Sequence, residues 1–264
     1  MQFFNGGKME VKEWTKRELE KLYVNIFILE EETYVRTNDE IKKQKIYIFI
    51  GLNLKGYKDI IGIYTPEVET TGYWIQEIAN MKNRGVEEIF MVSMINNKWL
   101  KKVIKMNYPE AIQTPSMVEI YNKTQKYIAR KDHRIIMREL GRIYRAVTIE
   151  EAKEIYIKLI DQYKENKLII QIVNKYINEI FNLFKYSHQA RVVTSNTDSY
   201  NKMRNRISWK IRKIDLFKNV TELKIYLSEI LQEEEKNWKP SVKRWDKIIN
   251  EMDCNLSEKI LELI

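Results

Sequence analysis

KIYIFIGLNLKGYKDIIGIYTPEVETTGYWIQEIANMKNRGVEEIFMVSM, residues 45–94, decides the fold. Two β-branched and aromatic runs, Lys45 to Leu54 and Lys58 to Tyr64, meet across Lys55-Gly56-Tyr57, which is the pattern of a β-hairpin. Beyond Pro66, Tyr73, Trp74, Ile75, Ile78, Ala79 and Met81 recur with a helical period, and Gly85 supplies the stop. VEEIFMVSM then returns to a short apolar run of buried-strand type. The stretch therefore reads as two strands, a helix and a third strand.

The line from KIYIFIGLNL to NMKNRGVEEIFMVSM resembles the catalytic core of bacterial mutator-type insertion-sequence transposases. Shorter blocks follow in the same order: EVKEWTKRELEKLY with YVR at Tyr34 to Arg36, LFKY at Leu183 to Tyr186, TSN at Thr194 to Asn196, and NWKPSVKRW around Trp238. The resemblance implies an RNase H-like α/β core, a mixed β-sheet with flanking helices, interrupted by a large all-helical insertion. It further implies a lead-in at residues 1–20, a first part of the core at 21–120, the insertion at 121–187, and C-terminal helices completing the core at 188–264. Family members carry helical DNA-binding elements ahead of this core. The first segment here, Lys8 to Leu22, is only a short charged helix pattern, so the expectation is that the DNA-binding region is missing.

The resemblance also implies an Asp-Asp-Glu triad holding Mg or Mn, and here the chain departs from the pattern. Matching LYVNIFIL without a gap puts Leu29 where the first Asp belongs, with Glu30, Glu31 and Glu32 beside it. A shift of one residue would make Glu30 the counterpart, but neighbouring strand residues face opposite ways, so the shift needs a bulge. The bland reading makes the three glutamates a solvated turn. The second acid falls on Ile95, with Asn96 and Asn97 following as a loop into a helix from Lys98 to Met106. The third falls on Asp198, one methylene shorter than the family Glu, in a helix whose first turn favours a negative charge in any case. Where the family has Cys-x-x-His, after a short strand at Ala111 to Val118, this chain has Ser116 and Glu119, which read as a capping box.

From Tyr121 to Tyr186 the pattern is wholly helical, with a second capping box at Thr148 and Glu151. Lys131, Arg134, Arg138, Arg142 and Arg145 fall within an arc of roughly 80° on one helix. Such a stripe suits a phosphate backbone; it also suits a solvated face neutralised by Glu139, Glu150, Glu151 and Glu154. On the helix from Tyr200, Lys202, Arg206, Trp209, Lys210 and Lys213 set basic residues beside an aromatic, which fits DNA or an ordinary surface. Asn219 predicts the cap of a further helix, ending on an acidic patch at Glu233 to Glu235, and Trp238 and Trp245 read as packing anchors. His133 and His188 lack metal-ligand spacing.

Composition sets wider bounds. The 264 residues are 44% hydrophobic and 31% charged with few Gly and Pro, which describes a globular, helix-rich chain. The net charge of +9 favours a polyanionic partner, although an Ile- and Lys-rich composition also follows from an AT-rich genome. A single Cys254 excludes an internal disulfide and a Cys-rich zinc site. No apolar run approaches the roughly 20 residues of a membrane span, and the start lacks a signal-peptide pattern, so a cytoplasmic protein is expected. The absence of GxxxxGK[ST] and GxGxxG removes the familiar nucleotide cofactors.

The leading expectation is therefore a transposase-like protein with a degenerate triad, no metal and residual DNA binding. One alternative is an active Mg- or Mn-dependent transposase or nuclease using Glu30, Asp198 and another acid. The other is an interaction module that forms homo-oligomers or pairs with an intact transposase and inhibits it.

Overall fold

The computed structural model describes residues 11–94, 97–125, 127–189, 191, 198–236, 238, 245 and 249. They fall into two compact units, one drawn from residues 1–90, 97–111 and 202–243, the other from 91–96, 112–201 and 244–264. The first is mixed α/β and the second mainly helical.

The first unit is built on a long hairpin. Strands β1 (Leu22–Thr37) and β2 (Glu40–Asn53) pair antiparallel along their whole length, closed by Asn38 and Asp39 with φ of 50° and 62°. Two consecutive positive-φ residues of Asn/Asp type are what a tight hairpin turn demands. Strand β3 (Lys58–Tyr64) adds antiparallel to β2 beyond Gly56, where the sequence predicts the hairpin. Strand β4 (Glu88–Ile89) runs parallel to β1, so the sheet of this unit is mixed.

The glutamates at 30–32 are not a turn. They lie within β1 opposite Tyr47, Ile46 and Lys45, and the turn chemistry sits at Asn38-Asp39. The strand tolerates three acids because Glu30 meets Lys45, Glu31 meets Arg204, and Glu32 meets Lys43. Alternation then gives the two sheet faces different neighbours. Ile28, Glu30, Tyr47 and Phe49 share one face; Phe27, Leu29, Glu31, Ile46, Ile48 and Ile50 share the other.

Helix α2 (Thr71–Asn83) starts on the Thr70 side chain, which accepts from the Tyr73 amide. It buries Trp74 against Tyr47, Phe49 and Tyr64, with ring centroids 5.1 to 5.9 Å apart. Gly85 follows at φ +112°, a conformation that other residues rarely adopt. The expected strand 86–94 is broken at Phe90, whose amide turns to the Tyr23 carbonyl, leaving β4 and a separate β5 (Met91–Met94). Helix α3 (Lys98–Asn107) is capped by Asn97, whose Oδ1 accepts from the Trp99 and Leu100 amides at 3.0 and 3.1 Å. Helix α1 (Val11–Lys16) also belongs to this unit.

In the second unit β5 pairs parallel with β6 (Ile112–Pro115). The strand expected to run to Val118 stops earlier because Ser116 begins helix α4 (Met117–Thr124). Ser116 makes no side-chain cap bond, and the Glu119 side chain lies outside the described atoms. Helices α5 (Arg130–Arg145), α6 (Ile149–Gln162) and α7 (Lys167–Phe181) follow, then a 3₁₀ turn at Asn182–Lys185. At the α6 start the Thr148 hydroxyl accepts from the Glu151 amide, and the Glu151 carboxylate accepts from Val147 rather than Thr148. His133 is a core residue: its Nε2 lies 2.8 Å from the Thr124 hydroxyl, joining α4 to α5.

Helix α8 (Asp198–Arg212) and helix α9 (Val220–Lys236) complete the described chain. Asn219 caps α9 as the sequence predicts, its Oδ1 accepting from the Glu222 amide at 2.8 Å. Among the described residues no helix is long and apolar enough to cross a membrane.

Candidate functional site

Leu29, at the position of the expected first acid, is 1% exposed and sits opposite Ile48. Burying a leucine there contributes roughly 1.5–3 kcal/mol, which an unpaired carboxylate in the same place would more than reverse. The side chain neither reaches solvent nor offers a donor.

Glu30 projects on the opposite face, into a cluster that sequence reasoning assembled only in part. Its Oε1 is 3.4 Å from the Tyr47 hydroxyl and 3.8 Å from Lys45 Nζ. The second carboxylate of the cluster is Glu69, in the loop before α2. Its Oε2 accepts from Tyr47 at 3.0 Å and Lys45 at 3.2 Å, and its Oε1 from the Trp74 indole at 3.2 Å and from Asn97 Nδ2. Burial opposes ionisation of Glu69 most strongly, but the hydrogen bonds donated by Asn97, Lys45 and Tyr47 together hold its pKa below the usual carboxylate value. The same setting pushes the Tyr47 hydroxyl far up, by burial first and then by Glu30 and Glu69, so it stays a donor.

Asn97 is thereby fully committed, its oxygen to the α3 backbone and its amide nitrogen to Glu69. Ile95 and Asn96 lie outside the described residues. Two divalent ions need converging anionic oxygens. This donor set does not fit them, because the two carboxylates already converge on an ammonium and a phenol. Among the described residues no group of three or more His, Cys, Asp or Glu is placed to hold a metal ion.

The Leu29 face has a different acid. Glu31, two residues on, accepts from Arg204 Nη2 at 2.9 Å and from the Ser208 hydroxyl, both on α8. Asp198 is the first residue of α8. Asp198 and Lys202 are described by their backbone alone, and Thr194 to Asn196 lie outside the described residues. A shift of one residue along β1 selects Glu30, whereas the pleat puts Glu31 on the face of Leu29.

The basic residues occupy two helices. Lys131, Arg134, Arg138, Arg142 and Arg145 are all exposed on α5, with Ile136, Leu140, Ile143 and Tyr144 buried on its other side. Arg138 and Arg142 share Glu139, at 2.9 and 2.7 Å. On α8, Arg206 Nε pairs with the buried Glu234 at 2.9 Å, and Lys210 with Glu233 at 2.7 Å. Trp209 is 57% exposed with Lys213 Nζ 3.4 Å over its ring. The acidic patch expected at Glu233 to Glu235 is therefore not a patch: successive helical residues point 100° apart, and each carboxylate meets its own cation.

Glu235 leads to a second carboxylate cluster. Its Oε1 accepts from Arg17 at 2.8 Å and from the Ile60 amide at 2.9 Å, and its Oε2 from the Trp14 indole at 2.9 Å. Arg17 also donates to Asp59 and to the Ile60 carbonyl, and the Tyr23 hydroxyl donates to Asp59. Tyr23 reaches across because Gly51 has no side chain; a Cβ there would lie 2.3 Å from its ring. Burial pushes the Glu235 carboxyl up, only partly offset by Arg17.

Comparison with known proteins agrees in extent with this architecture. The family model for transposases of the mutator family matches residues 5–241. The chain is similar to the transposase of insertion element ISRM3 from Rhizobium meliloti, 20% identical over 241 residues, which are 89% of this chain and 59% of that protein. It is 23% identical over 219 residues to the transposase of IS905 from Lactococcus lactis, covering 83% and 56%. A probable insertion-element transposase from Corynebacterium diphtheriae is 24% identical over 144 residues, covering 54% and 42%. The chain thus spans about half the length of the curated relatives it matches. With a family match over most of its length, the chain belongs to the mutator family of transposases.

Proposed function

We propose that this chain is a transposase core that has kept a DNA-binding surface and lost strand cleavage. The observation that carries the reading is the pair formed by Leu29 and Glu30. The residue at the first acid position is a buried aliphatic, and the adjacent carboxylate faces the other way into a cluster closed by Lys45 and Tyr47. Phosphodiester cleavage of this class needs ions on converging carboxylates, and fold membership does not supply a site that the side chains do not make.

The hairpin sheet followed by helices supports an RNase H-like core at residues 21–120 and 188–264. The unbroken helices α5 to α7 support residues 121–187 as its insertion, after a lead-in at residues 1–20. DNA is the partner that the exposed stripe on α5 and the cationic rim of Trp209 on α8 fit best. A second reading rests on Glu31, which shares the Leu29 face and is bonded to Arg204 and Ser208. It makes the chain a surviving metal-dependent nuclease with a displaced acid.

One protein preparation tests both. Fluorescence anisotropy with duplex DNA across a salt series should show binding that weakens when Arg134, Arg138, Arg142 and Arg145 are changed to Ala, with the log–log salt slope shallower by up to about 3 to 4. Unchanged affinity and slope would remove the stripe from the interface. Nicking of supercoiled plasmid in Mn²⁺ should be absent. Nicking that disappears in Asp198→Asn and Glu31→Gln would establish the second reading in its place.

A further inference from the structure

We infer that helix α3 is a sequence-independent contact for the phosphate backbone of DNA, carried by Lys98, Lys102 and Lys105. The inference rests on the reading of this chain as a DNA-binding protein and adds to it a surface on a different helix from α5 and α8. Helix α3 holds four lysines, Lys98, Lys101, Lys102 and Lys105, and no acid. At 100° per residue the four fall within an arc of about 100°. Leu100, Val103 and Ile104 lie on the opposite side and are buried. Their burial fixes the rotation of the helix, which leaves Lys98, Lys102 and Lys105 exposed.

The other two basic helices are partly neutralised at close range. On α5 Arg138 and Arg142 share Glu139, and on α8 Arg206 and Lys210 meet Glu234 and Glu233. Among the described residues no carboxylate pairs with Lys98, Lys102 or Lys105. Lys105 Nζ donates to the Pro109 carbonyl, and Lys98 Nζ lies 4.4 Å from the centroid of the half-exposed Trp99 ring. These contacts orient two ammonium groups without cancelling either charge. Like charges three and four residues apart on a helix repel, so a bound polyanion relieves the stripe.

Shape and chemistry select the polyanion. Lys98 to Lys105 rises about 10.5 Å along the axis, the length of about three nucleotides of one DNA strand. Lysine is a point charge without the planar fork by which arginine reads guanine, so the contact carries no sequence preference. An anionic membrane would take an amphipathic helix by its apolar face, and here that face is in the core.

The test is fluorescence anisotropy of the full chain with two labelled duplexes of unrelated sequence, followed across a salt series. The triple variant Lys98→Gln, Lys102→Gln, Lys105→Gln should bind both duplexes at least about tenfold more weakly at low salt, with a log–log slope shallower by about 2 to 3. The corresponding triple change to Arg keeps the charge and should bind both as wild type does. Glutamine is close to lysine as a helix former, so the exposed face tolerates it. The pair Lys102→Gln, Lys105→Gln replaces the triple if circular dichroism shows that one unfolded, with a slope shallower by about 1 to 2. Unchanged binding in the Gln variant beside weakened binding in the α5 variant overturns this inference and leaves the DNA reading standing. Weakened binding in the Gln variant beside unchanged binding in the α5 variant upholds α3 and removes the α5 stripe. Failure of the folded wild-type chain to bind either duplex overturns both. A loss confined to one duplex, or equal affinity of α3 for polyglutamate, overturns the backbone assignment.

Discussion

The two carboxylate clusters of the first unit are made from the same parts and differ in what they do. One has Asp59 and Glu235 around Arg17, with the Tyr23 hydroxyl and the Trp14 indole as further donors. The other has Glu30 and Glu69 around Lys45, with the Tyr47 hydroxyl and the Trp74 indole. In the first the cation is a guanidinium, with its side chain 20% exposed and bonded to three elements at once. In the second it is an ammonium, 45% exposed and bonded only to carboxylates. A rigid fork of donors ties backbone and side chains together; a point charge on a flexible stem only fills a hole. The Arg17 cluster is a clamp between α1, β3 and α9, whereas Lys45 only bridges the carboxylates of Glu30 and Glu69 at the rim of its cluster.

Stability separates them most sharply. Arg17→Ala leaves two carboxylates in a mostly buried setting without their cation and should cost about 3–5 kcal/mol, measured by urea unfolding. Lys45→Met removes a rim charge and should cost no more than about 1 kcal/mol. Equal losses from the two variants would erase the distinction.

A smaller effect is the dependence on pH, which has opposite sign in the two clusters. Glu69 is held below its ordinary pKa despite burial, so its stabilisation is present above the unfolded value of about 4.3 and is lost as pH falls through the lowered folded value. Glu235 is pushed up by burial, so its contribution is full below about 4.3 and is lost as pH rises through the raised folded value. Urea midpoints followed against pH should lose the acid-side decline in Glu69→Gln and the opposite decline in Glu235→Gln. The same slope in both variants would refute the assignment of burial as the deciding influence at Glu235.

Much of the scaffold is legible in the chain, because period and turn chemistry are local. The β-branched and aromatic run in Lys45 to Leu54, the helical recurrence around Trp74, and the caps at Thr148 and Asn219 each involve residues within a few positions of one another. The strand β1 shows where this stops. Three consecutive glutamates read as a solvated turn, yet the strand continues through them because Lys45, Arg204 and Lys43 arrive from other parts of the chain. Glu69 carried no sequence pattern at all, lying in a loop before a helix. The one hint of the Arg17 clamp was Gly51, a glycine inside a strand pattern, which marks close approach by another group.

The sequence by itself determined the hairpin, helix and strand runs of residues 45–94 and the run of helices after Tyr121, since each depends on residue type and near-neighbour spacing. Only the tertiary structure decided which face each glutamate of β1 takes and which cation it meets. Those outcomes depend on the pairing register of β1 with β2 and on side chains up to 177 residues apart. A one-residue difference in register exchanges the faces of a strand, and no local pattern fixes what packs against either face.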